Sequence, residues 1–297
     1  MAEPVQHYDV ISMGRIGVDL YPPRSGTPSP QVGGFDGLLG GSAANVAVAA
    51  ARLGRSTAVI TRTGADPFGT YLHQTLTASG VDDRWVTASE STTDTLDYFA
   101  VRAARILWIT GTGLSAEPTR SATLAALKAR GRTGTTVFDL DWRPACWGSP
   151  EEARPYYAEA VRHATVAVGD LDACEIATGV REPRACAQAL LAAGVELALV
   201  KRPGGVLAVH RDGTAAEIPP VAVDVTDEVA DAPDAGDAFG GALCHGLLSG
   251  WEAERLARYA HAAGTLMASR SADSTGMPTA AEIEDLLAQT PQPSTTA

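Results

Sequence analysis

The chain has 297 residues, with 35 acidic against 23 basic side chains and a formal net charge of −12 at pH 7. That balance argues against nucleic acid or an anionic membrane as the main partner, and leaves room for a nucleotide held by local N–H groups and a metal. With 45% hydrophobic residues and a mean hydropathy near zero, the composition is that of a soluble globular protein with ample core material.

A buried strand over 8–14 ends at Gly14. Asp19 lies just past its carboxyl end, where open α/β sheets put their ligands, although a turn aspartate fits the same place. After a Pro/Gly/Ser-rich stretch to Gly34, Gly40-Gly41-Ser42 opens a helix whose Val46, Ala50 and Leu53 face inward and whose stop is Gly54. Asn45 is polar in an otherwise apolar first turn. If buried it needs a hydrogen-bond partner, which a ligand hydroxyl or a backbone group would supply. Strands over 57–61, 105–111, 135–141, 165–169 and 197–201 then alternate with helices over 68–79, 119–130, 150–163 and 183–193. Residues 206–210 and the following Arg211-Asp212-Gly213 read as a hairpin at one end of the sheet.

Near the C-terminus, the small residues from Asp231 to Gly236 run into a helix with Phe239, Leu243 and Leu247 spaced four apart and Gly250 closing it. Such a loop aims backbone N–H groups at one point and binds an anion. Asp237 there reads either as a helix N-cap or as a base for a hydroxyl about to attack phosphorus. Helices over 251–269 and 279–288 follow, the last with the capping box Thr279 and Glu282, and the tail 289–297 is expected to fray. The alternation predicts an α/β fold with a doubly wound, mainly parallel sheet and helices on both faces. Cys146, Cys174, Cys186 and Cys244 lack CxxC spacing and read as reduced, buried thiols of a cytoplasmic protein. Glu3 stands where a signal peptide wants basic residues, and no apolar run approaches membrane-spanning length.

The two glycine-rich turns, Gly40-Gly41-Ser42-Ala43-Ala44-Asn45 and Asp231 to Phe239, resemble the two signatures of the ribokinase-like (PfkB-type) sugar kinases. The likeness runs through nearly the whole chain in the right order. Residues 14–22, residues 61–69 and Asp139-Leu140-Asp141-Trp142-Arg143-Pro144 with Trp147 resemble the branch acting on keto-deoxy sugar acids. The resemblance implies one ribokinase-like domain over 1–297, with a small, shortened β lid from segments near 15–38 and 88–104. It implies ATP-dependent phosphorylation of a primary hydroxyl on a sugar or sugar acid, with Asp237 as base and the amides of Ala235, Gly236 and Asp237 as anion hole. Asp19, Gly41 and Asn45 would hold sugar hydroxyls, with Asp141 beside them, and Arg143 would pair with a substrate carboxylate. For Arg143 an ion pair with Asp139 or Asp141 is the alternative. Lys201, Gly204 and Asp234 would lie on the nucleotide side, and Asp170, Asp172 and Glu175 would position magnesium through water. Relatives bind a monovalent cation such as potassium where residues 269–276 lie, and often form homodimers through the lid.

Four departures from the family pattern cluster around ATP, metal and lid. Asp234 replaces a glycine beside the anion hole. Ala173 stands where the family's Asn-x-x-Glu ends in Glu. The turn Lys201-Arg202-Pro203-Gly204-Gly205 is one residue short. Between Thr93 and Arg105 lie only about a dozen residues, too few for the usual lid strands.

Overall fold

The computed structural model describes residues 7–21, 34–88, 96–221, 234–270 and 276–290. The chain begins with β1 (Val10–Met13), the antiparallel pair β2 (Gly17–Tyr21) and β3 (Asp36–Gly40), and α1 (Ser42–Arg52). Next come β4 (Thr57–Thr63), α2 (Pro67–Ala78), β5 (Val81–Asp82), β6 (Val86–Ala88) and α3 (Tyr98–Ala103). The middle alternates regularly: β7 (Ile106–Thr110), α4 (Thr119–Arg130), β8 (Thr135–Asp139), α5 (Pro150–His163) and β9 (Val166–Gly169). Helices α6 (Leu171–Thr178) and α7 (Pro183–Ala192) lead to the strands β10 (Leu197–Arg202), β11 (Gly205–His210) and β12 (Ala215–Ile218). Helices α8 (Ala235–Leu248), α9 (Ala253–Ala268) and α10 (Ala280–Gln289) follow.

The main sheet runs β12-β11-β10-β9-β8-β7-β1-β4-β5, with β6 also paired to β4. Pairing is parallel from β10 to β5 and antiparallel only along β10-β11-β12, so the expected doubly wound, mainly parallel sheet is present. Strand alternation sorts the core into two layers. Ile11, Leu107, Ile109 and Phe138 pack with Leu127 of α4, Tyr157 of α5 and Leu190 of α7. Val10, Ile106, Trp108 and Val137 pack on the other face with Val46 of α1, Phe239 and Leu243 of α8, and Leu256 of α9.

Two short helices escape the apolar-periodicity reading. The described part of the expected second lid segment, 96–104, contains the six-residue helix α3, capped by Asp97, rather than lid strands. Arg130 ties α3 down. Fully buried at the end of α4, it donates to the carbonyls of Val101, Ala104, Arg105 and Thr135 and to the hydroxyl of Thr136. The second short helix, α6, follows directly on β9. The β2–β3 pair stands apart from the main sheet as a small two-stranded flap with Leu20 exposed. The short nucleotide-side turn proves to be a hairpin, Arg202 pairing with Gly205 across Pro203 and Gly204. The capping box of α10 forms in full, Thr279 and Glu282 exchanging both bonds. Residues 22–33, 89–95 and 231–233, most of the 269–276 cation segment, and the tail from 291 lie outside the described residues.

Candidate active site

Helices α1 and α8 meet because glycines let them. A Cβ on Gly241 would lie 2.4 Å from Ala49 Cβ, and one on Gly240 would lie 2.7 Å from the Trp108 ring and 2.9 Å from Val46. This close crossing brings the N-termini of the two helices together, at the carboxyl ends of the strands. Ser42 Oγ donates to Asp237 Oδ1 at 2.5 Å. Asn45 Nδ2 donates to Asp237 Oδ2 at 3.2 Å and to Asp234 Oδ1 at 3.0 Å. Asn45 is only 1% exposed, so it lies beneath the two carboxylates rather than in a sugar pocket. The Asn45 amide nitrogen thus has a pair of aspartates for partners, while its Oδ1 is buried with no hydrogen-bond partner among the described residues.

Asp237 is 5% exposed, and burial, reinforced by the charges of Asp234 and Asp139, pushes its pKa up to about 7 against the bonds from Ser42 and Asn45. A carboxyl raised in this way suits a base working at neutral pH, where its ionised form takes a proton more readily than that of an ordinary aspartate. The Asp237 amide already donates to the Asp234 carbonyl at 3.1 Å. The anion hole expected from three amides therefore reduces to those of Ala235 and Gly236, which have no acceptor among the described residues. Lys201 closes this side. Its ammonium lies 3.8 Å from where a Gly236 Cβ would be and 5.7 Å from the centre of the Phe239 ring. A cation beside two open amides at a helix N-terminus fits phosphate chemistry. Gly204 sits in the exposed β10–β11 turn.

Asp139 ends β8 beside this cluster. Burial holds its pKa up, opposed by Lys201 and reinforced by Asp141 and Asp170. From sequence, Asp139 had no role beyond a partner for Arg143, and Ser42 had none at all. Their only signals were the period-two register of the strand and the hydroxyl inside the Gly-Gly-Ser turn.

Asp141 and Arg143 form a self-contained pair. Arg143 Nε donates to Asp141 Oδ1 at 3.0 Å, while Thr112 donates to Asp141 Oδ2 at 2.7 Å. Asp141 holds φ at 29°, a conformation rare for non-glycine residues. Both Asp141 oxygens thus have a protein donor, each with acceptor capacity to spare. Asp19 and Gly41 do face a cavity of about 850 Å³ at the ends of β1 and β4. The Asp19 carboxylate lies over Gly40, where a Cβ would come within 2.5 Å of it.

The magnesium expectation fits poorly. Asp170 caps α6, accepting from the Ala173 amide at 2.8 Å. Asp172 and Glu175 lie three apart on the outer face of α6, and both pair with Arg181, at 2.5 and 2.9 Å. Their neighbours Ala173, Cys174 and Ile176 take the core face, so helical geometry turns the two acids to solvent. Among the described residues no cluster of three metal-ligating side chains occurs.

Two helix N-termini thus meet around a buried aspartate of raised pKa on a doubly wound sheet, an arrangement suited to phosphoryl transfer. The pfkB family carbohydrate kinase pattern matches residues 8–105 and 99–280, and the chain belongs to that family. A 5-dehydro-2-deoxygluconokinase of Shouchella clausii is 28% identical over 95% of this chain and 96% of its own length. A putative ribokinase II of E. coli, solved with ATP and Mg2+, superposes with a TM-score of 0.84 at 22% identity, covering 95% of this chain and 99% of that one. A double-mutant fructokinase of Vibrio cholerae O395, solved with fructose, ADP and potassium, gives 0.78 at 24% identity, covering 94% and 98%. The chain therefore has the ribokinase-like fold and belongs to a family of carbohydrate kinases.

Proposed function

We propose that this kinase uses ATP to phosphorylate a primary hydroxyl of a keto-deoxy sugar acid, with 5-dehydro-2-deoxygluconate as the acceptor. The observation that carries the chemistry is Asp237, buried, held by Ser42 and Asn45, and with a pKa pushed up to about 7. In this reading Asp237 takes the proton from the acceptor hydroxyl. The amides of Ala235 and Gly236, with Lys201, face the transferred phosphoryl group and its developing charge. The choice of acceptor is supported by the name of the 5-dehydro-2-deoxygluconokinase relative, which matches nearly end to end. A bound magnesium would neutralise phosphate charge; the side chains of Asp172 and Glu175 are unsuited to hold it. Use of nucleotide with magnesium or potassium is supported by the ligands of the solved relatives. The same reading puts the enzyme in the cytoplasm, in inositol breakdown.

The test is a phosphoryl-transfer screen over sugar acids, neutral sugars and nucleosides with ATP and magnesium. Turnover of neutral sugars or nucleosides in preference to every sugar acid would sink the acceptor assignment. A second reading, a non-catalytic relative that binds sugar or nucleotide, has one observation behind it: two of the three acids expected near magnesium, Asp172 and Glu175, are tied to Arg181 while Asp234 adds charge beside the amides of Ala235 and Gly236. Magnesium-independent or absent ATP binding would favour it.

A further inference from the structure

The cavity at the ends of β1 and β4 carries its own charge pattern. Among its described lining residues the ionisable side chains are Arg15, Asp19 and Arg62. Arg15 is exposed, in the connection between β1 and β2, and makes no hydrogen bond or ion pair among the described residues. The nearby arginines differ. Arg143 is paired with Asp141, Arg84 with Asp82, and Arg120 with the carbonyls of Leu114 and Ser115. Arg62 lies near the end of β4 in the same cavity wall. The N-terminus of α4 reaches this cavity through Pro118, Thr119 and Ser121, and its N-cap, Pro118, supplies no side-chain cap. A helix N-terminus adds positive potential to that of the two guanidinium groups.

The backbone of Arg15 is anchored. Gly41 has φ 101°, and a Cβ there would lie 2.4 Å from the Arg15 carbonyl oxygen. The turn carrying Arg15 therefore rests on the glycine next to Ser42, which holds the base Asp237. Gly41 and Asp19 line this cavity together with Arg15 and Arg62, so an acceptor reaching Asp237 across Gly41 would have its far end in reach of the two guanidinium groups. We propose that Arg15 and Arg62 bind the carboxylate of the acceptor and set selectivity for acids, a role the resemblance assigns to Arg143. This rests on the sugar-acid reading above and names the cations that serve it. Guanidinium suits the role because it is planar, permanently charged and able to hold a carboxylate by two parallel bonds.

The experiment compares kcat/KM for 5-dehydro-2-deoxygluconate and for a neutral analogue lacking the carboxylate in wild type, Arg15→Gln, Arg62→Gln and Arg143→Gln. Loss of a charge-assisted pair is expected to lower kcat/KM for the acid about 10- to 100-fold in Arg15→Gln and Arg62→Gln, chiefly through KM, with less than about a threefold change for the neutral analogue. Arg143→Gln is expected to affect both acceptors alike. Thermal melts check folding, and Arg15, being exposed, gives a variant whose fold is not at stake. If the acid preference survives in both Arg15→Gln and Arg62→Gln, or falls selectively in Arg143→Gln alone, the assignment is overturned while the sugar-acid reading stands. If wild type shows no preference for the acid, both fail together.

Discussion

Replacing Asp234 by Asn should move the pH at which the kinase switches on. Asp234 and Asp237 accept from the same Asn45 nitrogen, at 3.0 and 3.2 Å, which places their oxygens within about 6 Å of each other. At an effective dielectric of about 20, like charges ~6 Å apart repel by about 3 kcal/mol, equivalent to about two pKa units. The Asn45 amide between them offsets part of this, so a shift of about one to two units is expected. Asparagine keeps an oxygen that can accept from Asn45, so packing should be preserved. Catalysis needs ionised Asp237, and kcat/KM should therefore fall on the acid side of about pH 7 in wild type. In Asp234→Asn that fall should begin about one to two units lower. The fold responds to the same proton. A carboxyl raised from 3.8 to about 7 on folding binds more protons folded than unfolded in that window. Stability is therefore greatest below the unfolded value and is lost as pH rises toward 7, and Asp234→Asn should flatten that slope. The assay is the pH profile of kcat/KM, with the Asp237 carboxyl titrated by NMR as a readout independent of turnover. An inflection within about 0.3 units of wild type in both measurements would refute the electrostatic argument.

Asp237→Asn should lower kcat by about 100- to 10,000-fold with acceptor binding little changed; retention of more than about a third of wild-type kcat would remove Asp237 as the base. Asp234→Gly should tighten ATP binding, since it removes a buried carboxylate next to the open amides of α8; weaker binding at every magnesium concentration would make Asp234 a metal-side ligand instead. Arg130→Met should lower unfolding free energy by about 3 kcal/mol or more, because it strips donors from four carbonyls and a hydroxyl around α3 and α4; a loss below about 1 kcal/mol in urea titration would show that other groups satisfy them.

Much of the architecture was legible because apolar runs and amphipathic helices each state which of their faces is buried. Ile11 and Val10 point to opposite layers for the same reason that any adjacent strand residues do. Helix ends were readable from local chemistry, as at Thr279 and Glu282. The two glycine-rich turns marked both halves of the site before any contact between them was known. Short helices were not legible: α3 and α6 have six and eight residues, too few for a period to declare itself.

Which groups face each other across the fold was decided only by tertiary structure. Sequence placed Asn45 in the first turn of α1, but only the crossing of α1 and α8, set by Gly240 and Gly241, put it under Asp234 and Asp237. It offered Arg143 either a ligand or an aspartate, and the left-handed turn at Asp141 brings the aspartate to it. It set Asp172 and Glu175 to position magnesium through water, and the rotation of α6 turned both toward Arg181. A one-dimensional pattern carries periodicity, hence faces. Distances between residues far apart in the chain depend on how closely two backbones approach, and here small residues at helix crossings and one strained turn set that approach.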